Sequence, residues 1–347
     1  MNRRNFIRTS IIGGVTTTML NPAYAIRIYS ANINDYSKVT ITTGNNRADI
    51  TFRALEPFAK QIKRDIGNKI VVIKPNNVAV NIQLASTHVE TIEGILEFLK
   101  SINKLDNVII AESAANGPTL EGFSNFGYTR LLNSYPVKLT DLDHEKYEYI
   151  YIFDEKDFRP HVVRVSSLLL SKDTYIISAA KLKTHDRAVV TLSLKNIVFG
   201  APIKDDGYTF GRNRRAGSKS DKPIVHGSGY RAINYNLYDL ASRLHPDLAV
   251  IDGFEGMEGN GPSRGTAVDH RICIAGTDWL AADRVAVELM GVDFSKVGYL
   301  NYCAQTGAGL ADLNKIEIIG ENINDHIKHY KLHENIEKQL IWMQPAG

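Results

Sequence analysis

The N-terminal half of the chain alternates two apolar patterns. Residues 50–66 and 87–102 each carry one apolar stripe at helical spacing, which predicts two helices with one buried face. Residues 69–73 and 107–111 are continuous apolar runs, as in strands buried on both faces of a sheet. The pattern predicts the order β-α-β-α-β and an α/β fold, with a largely parallel sheet flanked by helices.

The rest of the chain continues this alternation after one irregular region. Residues 136–165 hold several short strand-like runs with little helix between them, which predicts an antiparallel excursion. The elements expected after it are a strand at 174–179, helices at 187–199 and 232–244, strands at 248–251 and 271–275, a helix opened by Thr277 and stopped by Gly291, and a strand at 316–319.

The first residues have the character of an export signal. Arg3 and Arg4 precede a short apolar stretch that glycine and threonine dilute, and this stretch is too short and too polar to span a bilayer. We expect residues 1–25 to be a twin-arginine signal peptide that is cleaved after Ala25, and residues 26–37 to be a linker. The partner implied is the twin-arginine export machinery, and the location is periplasmic or otherwise exported, without a stable membrane anchor after cleavage. The alternative is a basic tail on a cytosolic protein.

The segments beyond the linker have the length of one large domain or two moderate ones. We expect a single α/β domain over residues 38–325, with two lobes dividing near residues 135–170 as the alternative. Residues 326–347 are expected to form a C-terminal tail.

Charge and cysteine content exclude two classes of function. The chain has 41 basic and 38 acidic residues, and removal of the three arginines within residues 1–25 leaves 38 of each. A neutral body argues against a nucleic-acid partner, because affinity for phosphate backbones comes from massed Lys and Arg. The two cysteines, Cys273 and Cys303, have no cluster spacing, which excludes an iron–sulfur cofactor and leaves a disulfide between them open.

Four of the predicted buried strands end in polar side chains. The carboxyl ends of parallel strands share one edge of a sheet, where ligands bind in the crevice. The alternative is that strands simply become polar where they reach solvent. The residues expected at this edge are Lys74, Asn76, Asn77, Glu112, Ser113, Lys181, Lys183, His185 and Asp252.

The run of glycines at residues 253–262 predicts a loop beside this edge. Gly259 and Gly261 would let the backbone approach an anionic ligand closely. Carboxylate oxygens suit a divalent cation, so a divalent metal is a possible cofactor. A flexible solvated turn is the alternative. The candidate metal ligands are His185, Asp252, Glu255 and Glu258.

Charged groups inside apolar segments carry more information than charges in loops. Lys195, with Asn196 beside it, lies in a segment that is apolar almost all round, so it must lose its proton, meet a negative partner, or extend its stem to the surface. Asp283 falls on the packing face of the helix that Thr277 opens, and Asp278 falls in the first turn of that helix. Each of the two aspartates is either structural or a member of the site. Residues 204–222 form a basic loop that is either a lid or merely solvated. His226 follows this loop and is a candidate ligand-binding residue.

These segments together resemble the prokaryotic family known as domain of unknown function 362. The resemblance covers residues 38–320, and its layout is similar to that of nickel-pincer lactate racemases. Some members of the family look fused to ferredoxin-like cysteine clusters, which this chain lacks. The matching segments are residues 74–77, 181–185, 194–197 with Gly200, His226, residues 252–262, Thr277 with Asp278, and Ala282 with Asp283.

We therefore expect an exported enzyme of unassigned reaction that acts on a small anionic or carboxylate-bearing molecule. Lys181, Lys183 and Lys195 would hold negative charge, His185 would move a proton or bind a metal, and Asp252 would act as a base or cation ligand. Substituting Lys195 by Met and Asp252 by Asn is then expected to abolish ligand binding. The alternatives are a non-catalytic ligand-binding or accessory protein, and a racemase or isomerase resembling the nickel-pincer enzymes.

Overall fold

The computed structural model describes residues 36–209 and 216–345. The expected signal peptide and nearly all of the expected linker lie outside these ranges. Within them, no helix combines the length and apolar character needed to cross a membrane.

The described residues contain eleven strands. Their bounds are β1 Ser37–Thr43, β2 Ile70–Lys74, β3 Val108–Glu112, β4 Lys138–Asp141, β5 Tyr147–Asp154, β6 Arg159–Ser166, β7 Thr174–His185, β8 Val189–Thr191, β9 Leu248–Glu258, β10 Thr266–Gly276 and β11 Ile316–Gly320.

Nine of these strands form one mixed sheet, in the order β11-β1-β10-β9-β7-β2-β3-β4, with β8 paired to the end of β7. Strands β9, β7, β2, β3 and β4 are parallel to one another. Strand β10 is antiparallel to both of its neighbours. The predicted α/β fold with a largely parallel sheet is therefore confirmed.

Helices pack on both faces of the sheet. The helices are α1 Arg47–Leu55, α2 Ala59–Ile66, α3 Val89–Ser101, α4 Thr119–Asn125, α5 Ser167–Leu170, α6 Ser193–Val198, α7 Tyr230–Ala241, α8 Trp279–Leu289, α9 Gly298–Gln305 and α10 Ile336–Gln339. Alternate side chains of β2 enter different cores: Val71 and Ile73 join one apolar cluster with helices α1 to α3, while Val72 joins another with α6 to α9.

Two predicted helices are divided in the structure. The helix expected at 50–66 is interrupted by a 3₁₀ turn at Glu56–Phe58, where Pro57 lies. The prediction of a helix at 187–199 is wrong for its first half, and only α6 is helical there. The β-branched residues of β8 instead pair with the end of β7.

The predicted antiparallel excursion is confirmed over residues 147–166. Strands β5 and β6 form a separate two-stranded antiparallel hairpin. The run expected at its start, residues 137–139, instead overlaps β4, which pairs parallel to β3 at the edge of the main sheet.

The glycine-rich run was wrongly expected to be a loop along its whole length. Strand β9 continues through Glu258, because residues from Asp252 onward pair with β10. Gly253 and Gly256 therefore lie in a strand that its neighbour holds by backbone hydrogen bonds, whereas Gly259 and Gly261 follow the end of that strand.

Two terminal features also differ from expectation. The cap of α8 is Asp278 rather than Thr277: its Oδ1 accepts the backbone N–H groups of Leu280 and Ala281. The expected C-terminal tail includes the short helix α10, in which Gln339 is fully buried.

Candidate functional site

A cavity of about 590 Å³ lies at the carboxyl ends of β2, β3 and β7. Parallel strands place their last residues on one edge of the sheet, so side chains far apart in the sequence meet here. Six of the nine residues expected at this edge line the cavity: Lys74, Asn76, Asn77, Glu112, Ser113 and His185. It also contains four candidates from other segments: Lys195, Asn196, His226 and Gly261.

Lys74 and Glu112 form a buried ion pair at the floor of this cavity. Lys74 ends β2 and Glu112 ends β3, and Nζ lies 2.6 Å from Oε1. Burial lowers the pKa of Lys74, and the neighbouring carboxylate opposes this effect. Glu112 also accepts the backbone N–H of Asn77 at 2.9 Å, which fixes the loop after β2.

Asn196 connects this ion pair to helix α6. Its Nδ2 donates to the carbonyl oxygen of Lys74 and to Ser178 Oγ, while its Oδ1 accepts from Lys74 Nζ at 3.3 Å and from Asn76 Nδ2 at 3.0 Å. The absence of a side chain at Gly200 is required here, because a Cβ atom would overlap the end of Lys74.

Asp283 fixes the start of α6 from the core side. Its Oδ1 accepts the N–H and the hydroxyl of Ser193, and its Oδ2 accepts the N–H of Leu194. Burial raises the pKa of Asp283 to about 7 despite these hydrogen bonds. Asp283 is therefore structural: it orients the helix that carries Lys195 and Asn196. Asp278 is structural too, as the cap of α8.

Lys195 differs from the other buried lysines. Its side chain is 6% exposed, and its Nζ lies 4.9 Å from the ring centroid of Phe199. Burial lowers its pKa to about 7. Among the described residues Lys195 has no hydrogen bond or ion pair, whereas the other five buried lysines each have a polar partner.

Two imidazoles stand beside Lys195. The rings of His185 and His226 are stacked at 6.5 Å between centroids and 19° between planes. Burial, together with the charge of Lys195, lowers the pKa of His226 to about 3 and the pKa of His185 well below its ordinary value. Both rings are therefore neutral near pH 7.

Strand β8 holds a strained residue next to His185. Val189 has a φ of 63°, a left-handed conformation that a β-branched residue rarely adopts. Its N–H donates to Gln339 Oε1 at 2.7 Å, and Gln339 Nε2 donates to the carbonyl oxygen of His185 at 2.9 Å. The C-terminal segment thus fixes the backbone that carries His185.

Asp252 does not line the cavity with the other candidates. It pairs in register with Lys181, whose Nζ lies 3.5 Å from Oδ2, and Arg47 Nε lies 3.4 Å from Oδ1. Burial alone would raise the pKa of Asp252, but the charges of Lys181 and Arg47 outweigh it and lower the pKa. Lys183 is also absent from the lining: its Nζ donates to the carbonyl oxygen of Ala85. These three predicted catalytic residues, Lys181, Lys183 and Asp252, are buried but do not line the cavity.

The predicted metal ligands are not gathered around one point. Glu258 accepts the N–H of Lys331, and Gly259 lies beside it with its N–H donated to the Lys331 carbonyl oxygen. In the described part of the chain, one group of three potential ligands has atoms within 4.8 Å of one another, at the β5–β6 turn. It consists of Asp154, Asp157 and His161, and none of the four predicted ligands belongs to it. The two cysteines, Cys273 and Cys303, are both buried and unpaired with each other.

Several cavity residues escaped sequence reasoning. Lys222, whose pKa burial lowers to about 7, ends the basic loop noted above, and its Nζ donates to the carbonyl oxygen of Gly200. The residues around Lys222 in the sequence are polar and basic, so nothing in the sequence indicated that Lys222 is buried. The other lining residues that were not predicted include Arg187, Thr191, Arg264 and His333.

The fold and the site define an α/β protein with a cation-lined cavity at the carboxyl ends of parallel strands. Residues 71–288 match the family described as Domain of unknown function (DUF362), and the chain belongs to this family.

The relatives that match are distant. The thylakoid-associated protein sll1697 of Synechocystis sp. is 23% identical over 225 residues, which cover 64% of this chain and 63% of that protein. The chain thus spans less than two thirds of this relative's length. A crystal structure of a protein from Thermotoga maritima aligns with a TM-score of 0.41 and 11% identity, over 77% of this chain and 60% of that chain.

Proposed function

We propose that this protein is an enzyme that acts on a small carboxylate-bearing anion in the cavity beside Lys195. The observation that carries the proposal is the buried amine of Lys195, which has no hydrogen bond or ion pair among the described residues. The charge of Asp186 favours its ammonium form but makes no ion pair with it. A buried ammonium without a direct partner is costly, and a ligand carboxylate would supply that partner.

The charges around Lys195 favour an anion. Lys222, Arg187 and Arg264 also line the cavity. Lys74 already has its counter-charge in Glu112, so it contributes little attraction of its own. The lining has five basic residues against three acidic ones, Glu112, Asp186 and Glu334, and this excess of two cations would attract a negative molecule.

The imidazoles favour an enzyme over a protein that only binds. His185 and His226 are neutral, buried and next to an amine whose pKa is about 7. Clustered groups with shifted pKa values are typical of sites that move protons. Binding of an anion alone would require cations, but not two neutral imidazoles beside an amine with a lowered pKa.

Binding and turnover can be tested together. Purified protein would be titrated by calorimetry with a panel of small mono- and dicarboxylates, and bound candidates would then be incubated in D₂O and followed by NMR for deuterium incorporation or product. We expect Lys195→Met to weaken binding roughly tenfold to a hundredfold, and the surface control Lys338→Met to leave it unchanged.

Other outcomes would assign the alternatives. Saturable binding without deuterium incorporation or product would make the protein a ligand-binding or accessory protein. A covalent adduct on a lysine in the intact mass spectrum would support a racemase of the nickel-pincer type. Equal affinity of the wild type and Lys195→Met would refute the role of Lys195.

We also propose that residues 1–25 direct export by the twin-arginine route, on the strength of the arginine pair and the short, weakly apolar stretch after it. A reporter fused to residues 1–35 is expected in the periplasm, and replacing both Arg3 and Arg4 by Lys is expected to retain it in the cytoplasm. If the reporter reached the periplasm with both the wild-type and the substituted segment, export by the twin-arginine route would be refuted.

A further inference from the structure

His226 presents an unprotonated nitrogen at its Nε2. Its Nδ1 lies 2.7 Å from the carbonyl oxygen of Lys222. A carbonyl oxygen can only accept, so Nδ1 carries the hydrogen. Because the ring is neutral, Nε2 holds a lone pair and can accept a hydrogen bond or a proton.

His185 has the opposite arrangement. The backbone N–H of Arg187 points at its Nδ1 with a separation of 3.0 Å. Asp186 Oδ1, at 3.1 Å from the same nitrogen, would favour a proton there. The backbone hydrogen of Arg187 cannot leave or rotate away, and it would collide with a second hydrogen on Nδ1. We therefore place the hydrogen of His185 on Nε2, which makes this nitrogen a donor.

The two Nε2 atoms are available to a ligand. Both rings line the cavity, and neither Nε2 is hydrogen-bonded to any residue in the described ranges. Together with Lys195 they offer a molecule in the cavity one positive charge, one donor and one acceptor.

We propose that the cavity selects a small carboxylate that also carries a hydroxyl group. Lys195 and His185 Nε2–H hold the carboxylate oxygens, and His226 Nε2 receives the hydroxyl hydrogen. A hydroxyl suits His226 better than an ammonium group, because Lys195 and Lys222 would repel a second cation. This inference rests on the carboxylate site proposed above.

The same arrangement makes His226 a positioning residue. Its Nε2 accepts the hydroxyl hydrogen bond and so orients the hydroxyl oxygen of the ligand. Burial lowers the pKa of His226 to about 3, so the ring is a weak base and the proton stays on the ligand oxygen.

The hydrogen positions can be measured without a ligand. In protein labelled with ¹⁵N-histidine, long-range ¹H–¹⁵N correlation spectra at pH 7 are expected to show His226 protonated at Nδ1 and His185 protonated at Nε2. His226→Phe and His185→Phe each remove one set of signals and so assign them. Either ring in the opposite tautomer, or charged at pH 7, would overturn the inference.

Malate and succinate test the hydroxyl directly, because they differ only by that group. By calorimetry we expect the protein to bind malate about tenfold more tightly than succinate. His226→Phe should abolish this difference in affinity. Lys195→Met should weaken the binding of malate and succinate by the same factor. Equal affinity in the wild type would overturn the hydroxyl preference but leave the carboxylate site standing, whereas failure of both acids to bind would count against the carboxylate site itself.

Discussion

The backbone N–H of Val189 donates to the side chain of Gln339, 150 residues further along the chain, at 2.7 Å. Val189 is held in a left-handed conformation next to His185. Such strain persists only where surrounding contacts determine the backbone fully. The C-terminal segment is therefore part of the framework of the site.

Replacing Gln339 by Ala should destabilise the protein. The buried N–H of Val189 and the carbonyl of His185 would each lose a partner, so we expect a loss of about 1–3 kcal/mol or more, measured by urea unfolding. The control is Lys338→Ala on the same helix, where the residue is exposed; its effect should stay within about 0.5 kcal/mol. Equal effects of the two substitutions would contradict the framework role of Gln339.

The ion pair of Lys74 and Glu112 should show strong coupling. Lys74→Met leaves a buried carboxylate without its partner, and we expect a loss of about 3–5 kcal/mol in the free energy of unfolding. The double variant with Glu112→Gln should recover part of this loss. The exposed pair Lys38 and Glu317, at 3.1 Å, is the control, and its coupling should be about 0–1 kcal/mol. Additive effects at the buried pair would contradict the expectation.

Asp252→Asn should alter stability rather than binding, in contrast to the expectation from sequence. Loss of this charge leaves Lys181 buried without its ion-pair partner, and Arg47 keeps only Glu90, at 4.0 Å. Breaking a buried ion pair in this way costs about 3–5 kcal/mol. The lowered pKa of Asp252 stabilises the fold above the unfolded pKa, and this contribution is lost as the pH falls through the folded pKa. Urea unfolding at pH 7 and pH 3 should therefore show a difference between wild type and variant that shrinks in acid. Loss of ligand affinity in folded Asp252→Asn would place this residue in the site after all.

Ligand affinity should depend on pH through Lys195. Its pKa is about 7, so the ammonium is complete below that pH and is lost above it. Affinity for succinate should fall by up to about tenfold per pH unit above 7. Lys195→Arg should make this profile shallower, because a guanidinium stays charged. The part that remains would come from Lys222, which lines the same cavity and has a pKa of about 7. Calorimetry between pH 6 and 9 measures both, and a profile in Lys195→Arg as steep as in the wild type would assign the dependence to another group.

Much of the fold was predictable because its signals are local. The apolar runs of β2 and β3 and the stripes of α1 to α3 each lie within one short segment, so periodicity identified them. The extension of β9 into a glycine-rich run was not predictable, because its pairing partner β10 decides it.

The sequence by itself determined the parallel strands and the polar residues at their ends, since both follow from neighbouring residues. Only the tertiary structure decided that Lys195, His185 and His226 line one cavity while Asp252 pairs with Lys181 and Arg47 outside its lining. It also decided that Gln339 reaches Val189. These outcomes depend on strand register and on which buried charges find a partner, and both are set by contacts between segments far apart in the chain.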